Sequence, residues 1–170
     1  GQRVILIDGD MRLPRLHELF DAALEPGLSN VMVGEAKASE AVKRTLTPNL
    51  WRMTAGKHPP NPAELLGSRR FRDFTNSLGA HFDWVIIDSP PVMAVTDARV
   101  IAHCVTGVVF VVASDKTTRG AAKAALEQLD SAKAKYVGGI LNRVDLVRNS
   151  YYYAHYYRRE YRDYYAKVSA

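Results

Sequence analysis

Val4-Ile5-Leu6-Ile7-Asp8-Gly9-Asp10-Met11-Arg12 is the stretch whose reading decides the fold. Four consecutive branched apolar residues read as a strand buried on both faces, the signature of a parallel sheet. The run stops on two carboxylates two positions apart, and a period of two aims both side chains the same way while strand geometry persists. Ligands of an open parallel sheet collect beyond the carboxyl ends of its strands, so Asp8 and Asp10 stand where chemistry is expected. Trp84-Val85-Ile86-Ile87-Asp88-Ser89-Pro90-Pro91 repeats the pattern. Two such strands bring three carboxylates to one rim, a donor set that suits Mg²⁺, which takes a few carboxylates plus substrate phosphates. An aspartate after a strand also serves as a turn former or helix cap, and for one strand alone that reading stands equally.

The remaining chain fits around these strands. A length of 170 residues is that of one domain, and 47% apolar with 24% charged residues is ordinary for a globular protein. The longest apolar run, Val105 to Ala113, is too short to span a bilayer. Cys104 is the single cysteine, read as a small core residue, and precludes an internal disulfide. The net charge of +5 divides into +3 for residues 1–150 and +2 for the last twenty. The body's only basic run, Arg69-Arg70 with Arg72, reads as a solvated helix face, so nucleic acid is not the expected partner.

Further elements follow from local signals. A short helix is expected over Arg15 to Phe20, and another, capped by Ser29 or Asn30, ends near Gly34. Ser39 to Arg44 reads as a turn of helix, and Leu50 to Thr54 as a strand. The prolines of Ala55 to Pro62 exclude regular structure there, while Asn61 and Pro62 suit the start of the next helix. Helices are expected from Ser68 to Leu78, from an Asp97 cap to His103, and from Thr117 or Thr118 to Lys133. Val105 to Ala113 reads as a third fully buried strand and Tyr136 to Asn142 as a fourth. Strands alternating with helices argue for an α/β fold with a parallel sheet. His58, His81 and His103 lack metal-ligand spacing and read as surface or satisfied core residues. Asp97 and Asp115 read as capping or loop residues.

The last twenty residues differ in kind. Tyr151, Tyr152, Tyr153, Tyr156, Tyr157, Tyr161, Tyr164 and Tyr165 are eight of the nine tyrosines, interspersed with Arg158, Arg159 and Arg162. No helical face explains their spacing, and core-forming residues are nearly absent. The segment reads as a mobile, solvated tail carrying phenolic hydroxyls. A stacking surface for nucleic acid or carbohydrate is the alternative.

On these residues the chain resembles the cytoplasmic domain of bacterial tyrosine kinases (BY-kinases), the type coupled to capsular and exopolysaccharide chain-length control and export. The resemblance rests on the Walker A-prime pattern Val4–Arg12, the segment Pro59-Pro60-Asn61-Pro62-Ala63-Glu64-Leu65-Leu66-Gly67-Ser68, and the Walker B strand Val85–Asp88 with Ser89-Pro90-Pro91. Gly139-Ile140-Leu141-Asn142-Arg143 and the tyrosine cluster complete it. MinD and ParA relatives share the Asp-ended strand, whereas the Asn-Pro-x-Glu-Leu-Leu segment and the tyrosines together are specific. One departure stands out. No Gly-x-x-x-x-Gly-Lys-[Ser/Thr] occurs in these 170 residues, although the family's P-loop precedes its Walker A-prime strand by roughly thirty residues. Lys57 follows one glycine and precedes two prolines, so it is no substitute. The expectation is an N-terminally truncated chain whose Walker B strand has an open edge.

The resemblance implies an α/β, parallel-sheet P-loop NTPase fold of the MinD/ParA-like (deviant Walker) group, missing its P-loop strand. It implies a partial nucleotide-binding domain over 1–148 and a tyrosine-rich tail over 149–170. The implied activity is an ATP- and Mg²⁺-dependent protein-tyrosine kinase that phosphorylates its own tail, with the fragment alone inactive. Asp8, Asp10 and Asp88 are the implied catalytic and metal-binding residues, with Asp8 nearest the attacking hydroxyl and Asp88 the Walker B metal contact. Asn142 resembles the asparagine that related ATPases place against adenine. Arg143 either stacks on the base or caps the strand, and Arg12 pairs either with phosphate or with Asp10. The eight tail tyrosines are the implied phosphoacceptors. Implied partners are further copies in a ring-like homo-oligomer, a membrane co-polymerase segment on the same or another chain, and a tyrosine phosphatase. The implied location is the cytoplasmic face of the bacterial inner membrane, the fragment itself being soluble. A MinD- or ParA-like ATPase switch and a non-catalytic module that presents the tail are the other classes; the tyrosines argue against the first and the missing P-loop favours the second.

Overall fold

The computed structural model describes residues 1–145, so the tyrosine cluster at 151–165 and the boundary near 148 lie outside the described residues. In chain order the elements are β1 (Val4–Asp8), α1 (Leu16–Leu19), α2 (Leu28–Val33), α3 (Ala38–Ala41), β2 (Lys43–Arg44), β3 (Leu50–Met53) and α4 (Pro62–Gly67). They continue with α5 (Arg69–Leu78), β4 (Trp84–Asp88), α6 (Asp97–Ala102), β5 (Val108–Ala113), α7 (Arg119–Ser131) and β6 (Tyr136–Asn142).

The branched run of β1 lies between two parallel neighbours, β3 and β4. Ile5 and Ile7 are fully buried, and they join Met53, Leu66 and Phe71 in the main core. A short antiparallel β2 extends this sheet on the far side of β3, giving the order β2-β3-β1-β4. The expected turn of helix before Pro48 is thus split: α3 ends at Ala41 and the chain turns into β2. Its Arg44 guanidinium lies 5.3 Å from the centroid of the Trp51 ring on β3, a cation–π distance.

β5 and β6 pair in parallel as a separate two-stranded sheet. Among the described residues β4 is bonded only to β1, so its second edge is unpaired there. The sequence reading of Val105 to Ala113 as fully buried is corrected here. The strand begins at Val108, and Val109 and Val111 are about half exposed. β6 is exposed along its whole length. A hydrophobic run supplies a buried strand only where both neighbours and both faces are present.

Several caps differ from expectation. Gly27, not Ser29 or Asn30, precedes α2, and Asn30 Oδ1 accepts from the Gly27 N–H at 3.0 Å. Thr96 precedes α6, leaving Asp97 as its first residue. Thr118, one of the two anticipated caps, accepts from Ala121 N–H at 3.1 Å. Ser68, read as the first residue of its helix, instead caps α5 by accepting from Phe71 N–H at 3.1 Å. Pro62 opens α4 after Asn61. Among the described residues no helix is long and apolar enough to cross a membrane.

Candidate functional site

β1 and β4 run side by side in register, Val4 opposite Trp84 through to Asp8 opposite Asp88, so both strands deliver an aspartate to the same carboxyl edge. The two ends close tightly: Gly9 N–H donates to Asp88 O at 2.8 Å. A Cβ on Gly9 would come within 2.6 Å of that same carbonyl oxygen. Glycine at this position is therefore a packing requirement, set by the approach of two backbones.

Strand geometry does not persist to Asp10. The strand ends at Asp8, and the two carboxylates take different jobs. Asp8 is buried, 1% exposed, and turns its carboxylate onto the backbone that follows. Its Oδ1 accepts from Asp10 N–H at 3.1 Å, and its Oδ2 from Arg15 N–H and Leu16 N–H at 3.1 and 2.9 Å. Asp10 is half-buried, and its Oδ1 accepts from Arg12 N–H and Leu13 N–H at 3.1 and 3.0 Å. These are side-chain-to-backbone bonds of the Asx-turn kind. The turn-forming reading of an aspartate after a strand therefore holds of both residues.

The three carboxylates feel one another. Desolvation pushes the Asp8 carboxyl above its ordinary value, against its three backbone donors, and the charge of Asp10 adds to the rise. Desolvation also raises Asp88, followed by the charges of Asp8 and Asp10, with Ser89 N–H pulling the other way. Asp88 is exposed by area, so neighbouring charge is the firmer of its causes. Crowded carboxylates with raised values form a donor set that gains from a cation, and the residues present fit Mg²⁺ held jointly with phosphate oxygens. Among the described residues no group of three or more His, Cys, Asp or Glu is arranged to hold a metal by itself.

Arg12 is committed elsewhere. Its Nε and Nη2 donate to Asp97 Oδ2 and Oδ1 at 2.9 and 3.1 Å, a two-pronged ion pair with a fully buried carboxylate. The partner is neither Asp10 nor open space. Asp97 was missed as a functional candidate because 85 residues separate it from Arg12. His58, read as a surface or satisfied core residue, is exposed and satisfied: its Nδ1 lies 2.6 Å from Met11 O in the turn after β1. Asn142 and Arg143 stand at the exposed carboxyl end of β6, on the other sheet, where Asn142 Oδ1 accepts from Arg143 N–H at 2.8 Å. Arg143 has φ +59°, a turn conformation just past the strand.

A cleft of about 650 Å³ opens at the amino end of the first sheet, lined by Arg3, Arg44, Asn49, Trp51 and Phe82 among others. It contains no carboxylate. The chemistry of a parallel sheet belongs to its carboxyl end, so the aspartate rim is the better candidate.

Comparison with known proteins bears on the family and the fold. CapB of Staphylococcus aureus, named among the tyrosine-protein kinases, is 40% identical over 156 residues, which make up 92% of this chain and 68% of CapB. Tyrosine-protein kinase YwqD of Bacillus subtilis is 37% identical over 152 residues, 89% of this chain and 64% of YwqD. Tyrosine-protein kinase wzc of Salmonella typhi is 34% identical over 160 residues, which cover 94% of this chain but only 22% of wzc. The chain therefore spans about two thirds of the shorter relatives and about a fifth of the longer ones. No family model matches it. Among solved structures, the chimerical protein CapA2B2 superposes with a TM-score of 0.82 at 35% identity, over 85% of this chain and 64% of that one. The kinase domain of Escherichia coli tyrosine kinase ETK gives 0.81 at 33% identity, over 84% and 56%. MinD of Pyrococcus horikoshii, solved with Mg-ADP, gives 0.69 at 21% identity over 85% and 59%, a likeness of fold alone. At 40% identity over 92% of its length and 68% of CapB, the chain belongs to the bacterial tyrosine kinases, built on a MinD-like P-loop NTPase fold.

Proposed function

We propose that this chain belongs to an ATP- and Mg²⁺-dependent kinase that phosphorylates tyrosines of its own tail. The observation that carries the reading is the in-register pair Asp8 and Asp88, with Asp10 in the adjoining turn, in a chain that also holds eight clustered tyrosines. Phosphoryl transfer needs positioning and charge neutralisation more than covalent help. Asp8 and Asp10 organise the metal and the incoming tyrosine hydroxyl. The raised Asp8 carboxyl is suited to taking the phenolic proton, since a more basic carboxylate is the better acceptor. Asp88, exposed at the end of β4, is the Walker B metal contact. Mg²⁺, when bound, neutralises charge on the phosphoryl group in transit. Asn142 can donate to and accept from an adenine edge. Arg143 lies beside it, and Arg12 contributes through the turn it braces.

The acceptors are Tyr151, Tyr152, Tyr153, Tyr156, Tyr157, Tyr161, Tyr164 and Tyr165, in a tail over 149–170 distinct from the nucleotide-binding domain over 1–148. Each phosphate adds about −1.5 to −2 charge, which would drive a phosphorylated tail away from carboxylate-rich sites. A tail that enters a neighbouring copy's site would give a ring-like homo-oligomer that phosphorylation disperses. A membrane co-polymerase segment, on this or another chain, and a tyrosine phosphatase complete the proposed setting at the cytoplasmic face of the inner membrane, in capsule or exopolysaccharide export.

Two experiments test this reading. The 170 residues alone lack the P-loop cradle and are expected to bind Mg·ATP only weakly; micromolar binding by calorimetry would contradict that. In a chain joined to a Walker A segment, removing Ser150 onward should abolish nearly all self-phosphorylation and spare ATP binding. Replacing subsets of the tyrosines by Phe should lower it in steps. Phosphate still entering the shortened body would refute the tail as substrate.

A further inference from the structure

The turn Asp10-Met11-Arg12 is held from two sides by groups outside β1. On one side Asp97, fully buried at the start of α6, takes both prongs of the Arg12 guanidinium. A bidentate pair fixes direction as well as distance. On the other side the His58 ring meets the Met11 carbonyl at 2.6 Å. A carbonyl only accepts, so Nδ1 carries the proton in this contact. The His58 segment is itself anchored: Ser29 Oγ donates to Lys57 O at 2.6 Å, and Lys57 N–H donates to Asn30 Oδ1 at 3.3 Å. The two arms share a frame, since α4 begins a few residues beyond His58 and packs on α6, which begins with Asp97.

Between these arms a continuous set of bonds runs to the carboxylates. Asp10 N–H reaches Asp8, and Arg12 N–H and Leu13 N–H reach Asp10 Oδ1. Moving Met11 or Arg12 therefore moves the carboxylate of Asp10. We propose that Asp97, through Arg12, and His58, through Met11, are positioning residues that together aim Asp10 at the metal and the incoming tyrosine hydroxyl. The proposal rests on the functional reading above. It gives the proline-rich segment preceding α4 a task at the site, beyond starting a helix.

The test uses the full-length protein and two readouts. Hydrogen–deuterium exchange compares the peptide covering 9–15 with those covering 4–8 and 84–88. Kinetics separates kcat from the KM for ATP. Asp97 is fully buried, so Asp97→Asn can fail to fold; Arg12→Lys, which keeps the charge but loses the fork, probes the same arm from its more exposed side. Arg12→Lys and His58→Leu should each raise exchange in 9–15 alone. Each should lower kcat about tenfold or more, the scale of an ångström-level misplacement, with KM for ATP within about twofold. His58→Asn, whose amide can donate near the Nδ1 position, should restore much of the loss. Unchanged exchange in 9–15 would overturn the proposal, as would an equal rise in 84–88 or a KM effect without a kcat effect. If the wild-type protein forms no phosphotyrosine, the functional reading fails, and exchange still judges the clamp.

Discussion

The β1 half and the β5–β6 half of this molecule are written in the same apolar alphabet and are buried to opposite extents. Ile5 and Ile7 of β1 are fully buried, whereas Val109, Val111, Ile140 and Leu141 of the second sheet are about half exposed. Val108 to Ala113 is as hydrophobic as Val4 to Ile7. The difference lies in the neighbours. β1 has a strand on each side and stands next to the cluster containing Leu28, Leu66 and Phe71. Among the described residues β5 has one strand partner, and α7 buries only Ala125 and Leu129. Burial of a parallel strand is a property of its surroundings, and the apolar run only permits it.

The comparison is open to direct attack. Phe71→Ala, at a fully buried position of the first half, should cost about 3–5 kcal/mol in denaturant unfolding. Val111→Ala, half exposed on β5, should cost less than about 1 kcal/mol. Equal costs would mean that the two halves are packed alike. Next in size is Asp8→Asn. The amide has one acceptor oxygen where the carboxylate uses both, so a buried backbone donor loses its partner, at a cost of about 1–3 kcal/mol. No loss of stability in that variant would show that the turn bonds of Asp8 carry little weight.

The smallest effect is electrostatic. Asp8 and Asp88 both have raised carboxyl values in the folded state. A raised carboxyl binds its proton more readily folded than unfolded. Its stabilising contribution is therefore complete below the unfolded carboxylate value and is lost as pH rises through the folded one. Melting temperature should accordingly carry a component that falls as pH rises above the ordinary carboxylate range. Asp88→Asn should flatten that component and raise neutral-pH stability by less than about 1 kcal/mol, since solvent screens an exposed group. A steeper pH dependence in the variant would contradict the repulsion among the three aspartates.

Much of this was legible in the sequence. The Val-Ile-Leu-Ile-Asp and Trp-Val-Ile-Ile-Asp runs gave adjacent parallel strands because period, length and terminal carboxylate agree in each. Pro62 marked the start of its helix through its fixed φ at the first helical position, although Asn61 makes no side-chain capping bond. What escaped was long-range. Arg12 finds Asp97 across 85 residues and Met11 finds His58 across 47, and no local signal links them. The same limit explains β5: its composition declares a buried strand, and only the tertiary context reveals its partial exposure.

The central claim is that the aspartate rim transfers phosphate to the tail tyrosines. Asp10→Asn tests it most directly, because Asp10 is only half-buried and its Oδ1 bonds to the turn can survive in the amide. The full-length protein and this variant would be incubated with Mg·ATP, and phosphotyrosine mapped by mass spectrometry, with circular dichroism confirming equal folding. Wild type should carry phosphate on Tyr151 to Tyr165, and the variant should lose at least about a hundredfold in rate, as expected when a charge at the transferring group is removed. Undiminished phosphotyrosine on the tail of a folded Asp10→Asn protein would contradict the account.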